Sequence, residues 1–214
     1  MRKSVFLHKS NVLFSLFICL GISFSCLHKK QKFVHGGCCL SQGTLVRLAN
    51  GKDILIENMK AGDTVLAFNK TTERFEPSKV LKTFSTEHAG FVKMNFNRLM
   101  RNEVEVYPAT SIIVSQDHPI WVKDKGWCST QPEMTMRILM MKDVKKIVAG
   151  DDCYTNKDWC KDGRAGTAKL ASVEKLSEIM KAYTIVKLDN GLDCFIANGI
   201  VVGTEAMSMQ DGGD

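Results

Sequence analysis

Proline is scarce in this chain, four residues in 214, and no stretch combines proline, glycine and serine densely enough for a long linker, so one or two domains is the limit. Long apolar runs are missing too: residues 12–24, about thirteen positions, fall short of the ~20 needed to span a bilayer. No C-x-x-C pair occurs, and six residues separate Cys153 from Cys160, which argues against a zinc or other metal site. Aromatic and basic residues do not interleave, and the only basic cluster is Lys29, Lys30 and Lys32, so nothing points to nucleic acid. No motif for a cofactor is present. What remains, 44% hydrophobic and 24% charged, is an ordinary globular composition, neither disordered nor collagen-like.

The first 25 residues stand apart. Arg2, Lys3 and Lys9 form a basic segment, 12–24 an apolar core, and Ser23 and Ser25 supply the small residues that precede a cut, a pattern that predicts a secretory signal peptide over 1–25 and an extracellular product. The mature chain would then begin at Cys26 with no transmembrane segment. Loss of three cations from the formal charge of +6 brings it to about +3, so the basicity belongs partly to the targeting segment.

Cysteine, in contrast, is plentiful. Beyond Cys19 in the signal, seven remain at 26, 38, 39, 128, 153, 160 and 194. An odd number in an exported chain means at least one unpaired thiol, with up to three structural disulfides among the rest.

Residues 26–38 (CLHKKQKFVHGGC) are too few to fold alone, and the pattern changes from Cys39 onward. Runs at 44–48 and 52–56 flank Ala49-Asn50-Gly51, a strong hairpin signal. Further β-branched or aromatic runs lie at 64–68, 79–84, 91–96, 103–107, 111–115, 120–123, 183–188 and 194–202, which predicts an all-β domain. Val173, Leu176 and Met180 have helical spacing in a β-rich context, and both readings stay open there. A repeat is also visible. Ile56-x-x-Met59-Lys60-Ala61-Gly62-Asp63 returns as Val144-x-x-Ile147-Val148-Ala149-Gly150-Asp151, 88 residues later with its apolar positions in step, as two related β subdomains would require.

Three blocks carry a resemblance. Cys39-Leu-Ser-Gln-Gly43-Thr44-Leu-Val46, Ser115-Gln-Asp-His118-Pro-Ile-Trp-Val122, and 183–186 with Asp193-Cys194-Phe195-Ile-Ala197-Asn198-Gly199 up to Val202 stand in the order found in Hint domains, the self-processing module of hedgehog precursors, inteins and bacterial intein-like proteins. The resemblance covers about 39–203, and its nearest types are stand-alone hedgehog-like or bacterial intein-like members. It implies an all-β Hint-type fold of two pseudo-symmetric β subdomains. The chain would divide into a signal (1–25), a short leaving segment (26–38), the Hint domain (39–204) and a polar tail (205–214).

The chemistry follows from proximity. A thiol on Cys39 can attack the carbonyl of Cys38 through a five-membered ring and turn the peptide bond into a thioester. The departing amide nitrogen needs a proton, for which His118 is the candidate acid. A hydroxyl three residues earlier can hold the scissile peptide in a polarised state, and Ser115 stands where the family pattern T-x-x-H has threonine, keeping the hydroxyl while losing the methyl that stiffens χ1. The C-x-x-x-G-T spacing selects Cys39 over its neighbour Cys38 as nucleophile. Cys194 looks like the position where hedgehog precursors carry a second cysteine, available for thiol–disulfide exchange or for a plain structural disulfide; Asn198, in an Ala-Asn-Gly-Ile turn, is a second accessory candidate.

Departures from the family limit the outcome. Splicing inteins end in His-Asn before a nucleophile, whereas Val202 is followed here by Gly203-Thr204-Glu205, so full splicing is not expected. An ungapped reading puts Ser85 where hedgehog modules carry the sterol-activating aspartate, with Glu87 and His88 nearby, and only eleven residues follow Gly203, so sterol transfer is not expected either. The expected function is single-turnover cleavage between Cys38 and Cys39, with the chain's own N-terminal segment as substrate, no cofactor, and water or a small nucleophile to resolve the thioester. The alternative is a secreted, disulfide-stabilised β domain that has lost the activity and acts as a binding or structural module.

Overall fold

The repeated Ala-Gly-Asp segments fold as two copies of one turn. In the computed structural model, which describes residues 37–97, 99–101, 104–107, 110–156 and 165–205, Gly62 N–H donates to the Val80 carbonyl and Val80 N–H to the Asp63 carbonyl, both at 2.8 Å. Gly150 and Leu170 repeat the exchange with Asp151 at 2.8 and 2.9 Å. Asp63 Oδ2 accepts the Lys60 N–H and Asp151 Oδ2 the Val148 N–H, at 2.8 and 2.9 Å, and the glycines sit at φ of +99° and +98°, where a side chain would be strained. Ile56, Met59, Val144 and Ile147 turn inward and are buried. The signal segment, residues 26–36, Cys160 and the tail beyond Glu205 lie outside the described residues.

The first half contains β1 (Leu40–Ser41), β2 (Leu45–Arg47), β3 (Asp53–Leu55), a 3-10 turn (Ile56–Asn58), β4 (Thr64–Asn69), β5 (Arg74–His88), β6 (Phe91–Phe96), β7 (Leu99–Arg101), β8 (Val104–Tyr107) and β9 (Thr110–Ser115). The second contains β10 (Ile120–Val122), β11 (Gly126–Ser129), helix α1 (Pro132–Leu139), β12 (Lys145–Lys146), β13 (Asp152–Thr155), β14 (Gly166–Lys175), β15 (Met180–Leu188), β16 (Cys194–Ala197) and β17 (Ile200–Gly203).

Strand order makes the pseudo-symmetry explicit. The sheet runs β17-β13-β14-β6-β9 and then β1-β15-β5-β4-β16. The long strand β14 pairs with β13 through its first half and with β6 through its second, just as β5 pairs with β4 and then with β15. These two runs of strands, each drawn from both halves of the chain, meet where β1 lies against β9, with Leu40 opposite Val114. Cys39 therefore enters the fold on the seam.

Several sequence expectations need correction in detail. The 194–202 run is two strands, because Asn198 and Gly199 take φ of +46° and +83° and turn the chain between β16 and β17. The ambiguous 173–180 segment is the end of β14 and the start of β15, since its apolar residues meet β6 and β5 across the sheet and have no helix face to fill. Helix α1 was not foreseen; Pro132 at its first turn and buried Pro132, Thr135 and Leu139 at i, i+3 and i+7 explain it.

Burial falls into three clusters. The largest includes Leu40, Val46, Val92, Val114, Ile120 and Phe195; a second gathers Trp127, Tyr154 and Cys194 round Phe68; a small third joins Cys39, Phe91 and Ala182. Cys38, Cys39, Cys128, Cys153 and Cys194 are all buried free thiols, which corrects the expected framework of up to three disulfides among the mature cysteines. Cys39 and Cys194 fill different clusters, Cys128 and Cys153 share the largest one unbridged, and Cys194 Sγ points at the Phe68 carbonyl, 3.0 Å away.

The two turns carry unequal loads. Asp151 also pairs with Lys125 at 2.8 Å, both half-buried, which Asp63 does not match among its described contacts. Asp63→Ala is expected to cost about 1 kcal/mol through the lost turn bond, and Asp151→Ala more by a few tenths. Urea midpoints of the two variants check the order.

Candidate functional site

Two short pieces of sequence build the site at the seam. Thr44 holds the Ser41 carbonyl through its N–H and its Oγ1, at 3.3 and 2.8 Å, and Gln42 N–H reaches the Lys181 carbonyl at 3.2 Å, so the chain before Gly43 is fixed between β9 and β15. On the other side β9 ends at Ser115, and the tight turn 115–118 closes with His118 N–H on the Ser115 carbonyl at 3.0 Å. This turn is braced from α1 and its approach. Thr130 Oγ1 donates to the Gln116 carbonyl at 2.7 Å and Thr135 Oγ1 to the Asp117 carbonyl at 2.8 Å.

Cys39 and Ser115 hold each other by two bonds. Ser115 N–H donates to the Cys39 carbonyl at 2.9 Å, and the Cys39 N–H donates to Ser115 Oγ at 3.0 Å. That N–H belongs to the Cys38–Cys39 peptide. His118 is fully buried, and neither ring nitrogen has a hydrogen-bond partner. Burial pushes its pKa down to about 3, opposed by the Cys38 main chain, whose proximity favours the protonated ring without making a well-formed hydrogen bond to it. The buried imidazole thus lies near the Cys38 main chain, while Ser115 Oγ accepts the N–H of the Cys38–Cys39 peptide.

Neither thiol is preformed as a thiolate. Burial, reinforced by the negative charges of Asp117 and Glu205, pushes Cys39 up to about 12, and burial raises Cys38 well above the usual thiol range. A thiol pushed up to about 12 and an imidazole pushed down to about 3 both favour the neutral pair over thiolate and imidazolium. An attack by this sulfur would need its proton to move at the same time. Once His118 takes that proton it becomes a strong acid, suited to passing it to an amide nitrogen.

The remaining candidates sit elsewhere. Cys194 belongs to the cluster round Phe68 and is not brought together with Cys39. Asn198 clasps two strands, β2 and β9: Oδ1 accepts from Leu45 N–H at 2.8 Å, Nδ2 donates to the Ser111 carbonyl at 2.9 Å, and its carbonyl accepts from Thr110 Oγ1 at 3.2 Å. Two residues that sequence reasoning passed over stand beside Cys39. Asp117 is buried with Oδ1 unpartnered; its only signal was its place within Ser-Gln-Asp-His. Glu205, read as the start of a polar tail, lies where a side chain at position 37 would come within 2.7 Å of its Oε1.

These shifts predict a pH window for stability. His118 has its folded pKa depressed from 6.5 to about 3, so its contribution is complete above pH ~6.5 and is lost as pH falls through about 3. Cys39 has its folded value raised from 9.0 to about 12, so its contribution is complete below pH ~9 and is lost as pH rises through about 12. The melting temperature of the Cys39→Ala chain is expected to fall on the acid side but to lose part of its alkaline decline relative to wild type.

Solved structures with the same architecture include inteins and an intein-like domain. The bacterial intein-like domain from Clostridium thermocellum superposes with a TM-score of 0.54 at 23% identity, over 78% of this chain and 98% of that one. The DnaB intein from a Synechocystis species gives 0.57 at 18% identity, over 78% and 98%, and the DnaX mini intein from Spirulina platensis 0.57 at 19%, over 78% and 99%. At these identities the likeness concerns the fold. No curated protein matches the chain. A sequence profile named Ataxin-1 and HBP1 module (AXH) matches residues 40–157, which include Ser115 and His118 but begin one residue after Cys39 and end before β14. With that match spanning more than half of its length, the chain belongs to the AXH family, and the architecture it adopts is that of an intein-like Hint domain.

Proposed function

We propose that this chain cleaves itself once, between Cys38 and Cys39, by an N-to-S acyl shift. The Cys39 sulfur attacks the Cys38 carbonyl carbon, the C–N bond breaks, and the sulfur's proton ends on the freed Cys39 amine by way of His118. Ser115 Oγ holds the scissile N–H and turns the peptide so that its nitrogen can accept that proton. The thioester at Cys38 is then resolved by water or a small nucleophile. The leaving segment would be 26–38, and the basic-then-apolar N-terminus supports export of the product through a signal over 1–25.

The observation that carries this reading is the 3.0 Å bond from the Cys39 N–H to Ser115 Oγ, with the buried, unpartnered imidazole of His118 three residues beyond that serine. A protein kept only as a disulfide-stabilised module has no need of either, and its described thiols are free. The test is a gel of the chain from residue 26 incubated with dithiothreitol. Cleavage to a fragment starting at Cys39 is expected, slowed about tenfold or more by Ser115→Ala. A chain that stays intact with and without the thiol contradicts the proposal.

A further inference from the structure

A cavity of about 360 Å³ opens beside the turn 115–118, lined by His88, Gly90, Asp117, Gln131 and Met134 among others. Its size suits a small molecule, and its walls are mainly apolar. Two buried polar atoms in its lining residues have no partner, His88 Nδ1 and Asp117 Oδ1. A buried carboxylate oxygen without a donor is costly, and a ligand that brings one relieves the cost.

The cavity adjoins the nucleophile through one layer of side chain. The His88 ring meets Phe91 edge-on at 5.5 Å between centroids, and Phe91 shares a packed cluster with Cys39. Asp117 immediately precedes His118, and Gln116 N–H is fixed on the Gly90 carbonyl at 2.9 Å, which ties the cavity wall to the catalytic turn.

We propose that this cavity binds the nucleophile that resolves the thioester, and that this nucleophile is a primary amine carried on a small apolar body. The inference rests on the self-cleavage reading. An ammonium group fits a carboxylate and an imidazole nitrogen that both lack donors; a carboxylate-bearing ligand would be repelled by Asp117, and an alcohol would leave its charge uncompensated. In the step itself, the ammonium gives one proton to water, the amine nitrogen attacks the Cys38 carbonyl carbon, and a C–N bond forms. The C–S bond to Cys39 breaks, and the nitrogen's second proton passes through His118 to the departing sulfur, which leaves as a thiol. The product is an amide on the C-terminal end of the leaving segment.

The test uses 2-phenylethylamine as probe and separates the two readings. On the full chain with Cys39→Ala, which cannot cleave, the His88 ring resonances are followed by NMR during titration. Saturable shifts are expected, with 2-phenylethanol binding about tenfold more weakly, about 1.4 kcal/mol. Met134→Arg is expected to weaken the amine by a similar factor, and Met134→Leu to keep it. Equal binding of alcohol and amine, or no saturation, overturns the assignment. On the wild-type chain, mass spectrometry is expected to find the phenylethylamide of the leaving segment, with its yield reduced in Met134→Arg while cleavage by dithiothreitol is unchanged. If dithiothreitol cleaves but the amine yields only the hydrolysed acid, the acceptor site is wrong and self-cleavage stands. If dithiothreitol does not cleave, self-cleavage falls and the site's role falls with it.

Discussion

Cys39→Ala is expected to leave the chain whole in dithiothreitol and in hydroxylamine, with an unchanged far-ultraviolet circular dichroism spectrum. The sulfur is the only atom that can form the five-membered ring on the Cys38 carbonyl, so nothing substitutes for it. The fold tolerates its loss because the main-chain bonds of residue 39, from its N–H to Ser115 Oγ at 3.0 Å and from Ser115 N–H to its carbonyl at 2.9 Å, do not involve the thiol. Cys38→Ala separates the neighbouring thiols: cleavage survives it. His118→Gln keeps an amide of similar size and is expected to lose about 10²–10⁴-fold in rate, the usual contribution of a positioned acid. Were Cys38→Ala inactive and Cys39→Ala active, the nucleophile would be misassigned.

Phe91→Ala is the second large effect, this time on the fold. Phe91 is fully buried, faces Ser115 across the β6–β9 ladder, packs with Cys39 and Ala182, and receives the Leu176 N–H on its carbonyl at 2.9 Å. Truncating a buried phenylalanine costs about 3–5 kcal/mol through lost burial and the cavity it leaves. That is a large share of the ~5–15 kcal/mol that holds a domain together. Measured by urea unfolding in the Cys39→Ala background, the midpoint is expected to drop sharply, while Phe91→Leu stays within about 1.5 kcal/mol. A loss below 1 kcal/mol for the alanine variant would mean that this layer is not packed as described.

The β architecture was legible because its signals are local. Period-two runs, an Asn-Gly turn at 50–51 and a repeated turn segment each report on a few adjacent residues, and the repeat even anticipates two turns with matching hydrogen bonds at 60–63 and 148–151. The halves of the candidate site were legible in another way, as short blocks resembling a known family. The relation between the blocks was not. Ser115 reaches Cys39 across 76 positions of sequence because β1 inserts beside β9, and no pattern within either block records that pairing. Glu205 and Asp117 escaped notice for the same reason: an acidic residue in a polar tail or beside a histidine reads as solvated until the fold closes round it. Cysteine count misled, because seven mature thiols suggest bridges while the five described ones stand unbridged in the core, Cys128 and Cys153 together in one cluster and Cys39 and Cys194 in two others. Helix α1 was missed since its eight residues lie among strands, with Pro132 as its chief marker.

The most direct measurement is the mass of the N-terminal fragment released when the purified chain is treated with hydroxylamine. A thioester at Cys38 would be trapped as a hydroxamate, so the account predicts a peptide ending at Cys38 and carrying that group, together with a partner beginning at Cys39. An uncut chain, or a cut at any other bond, would contradict it.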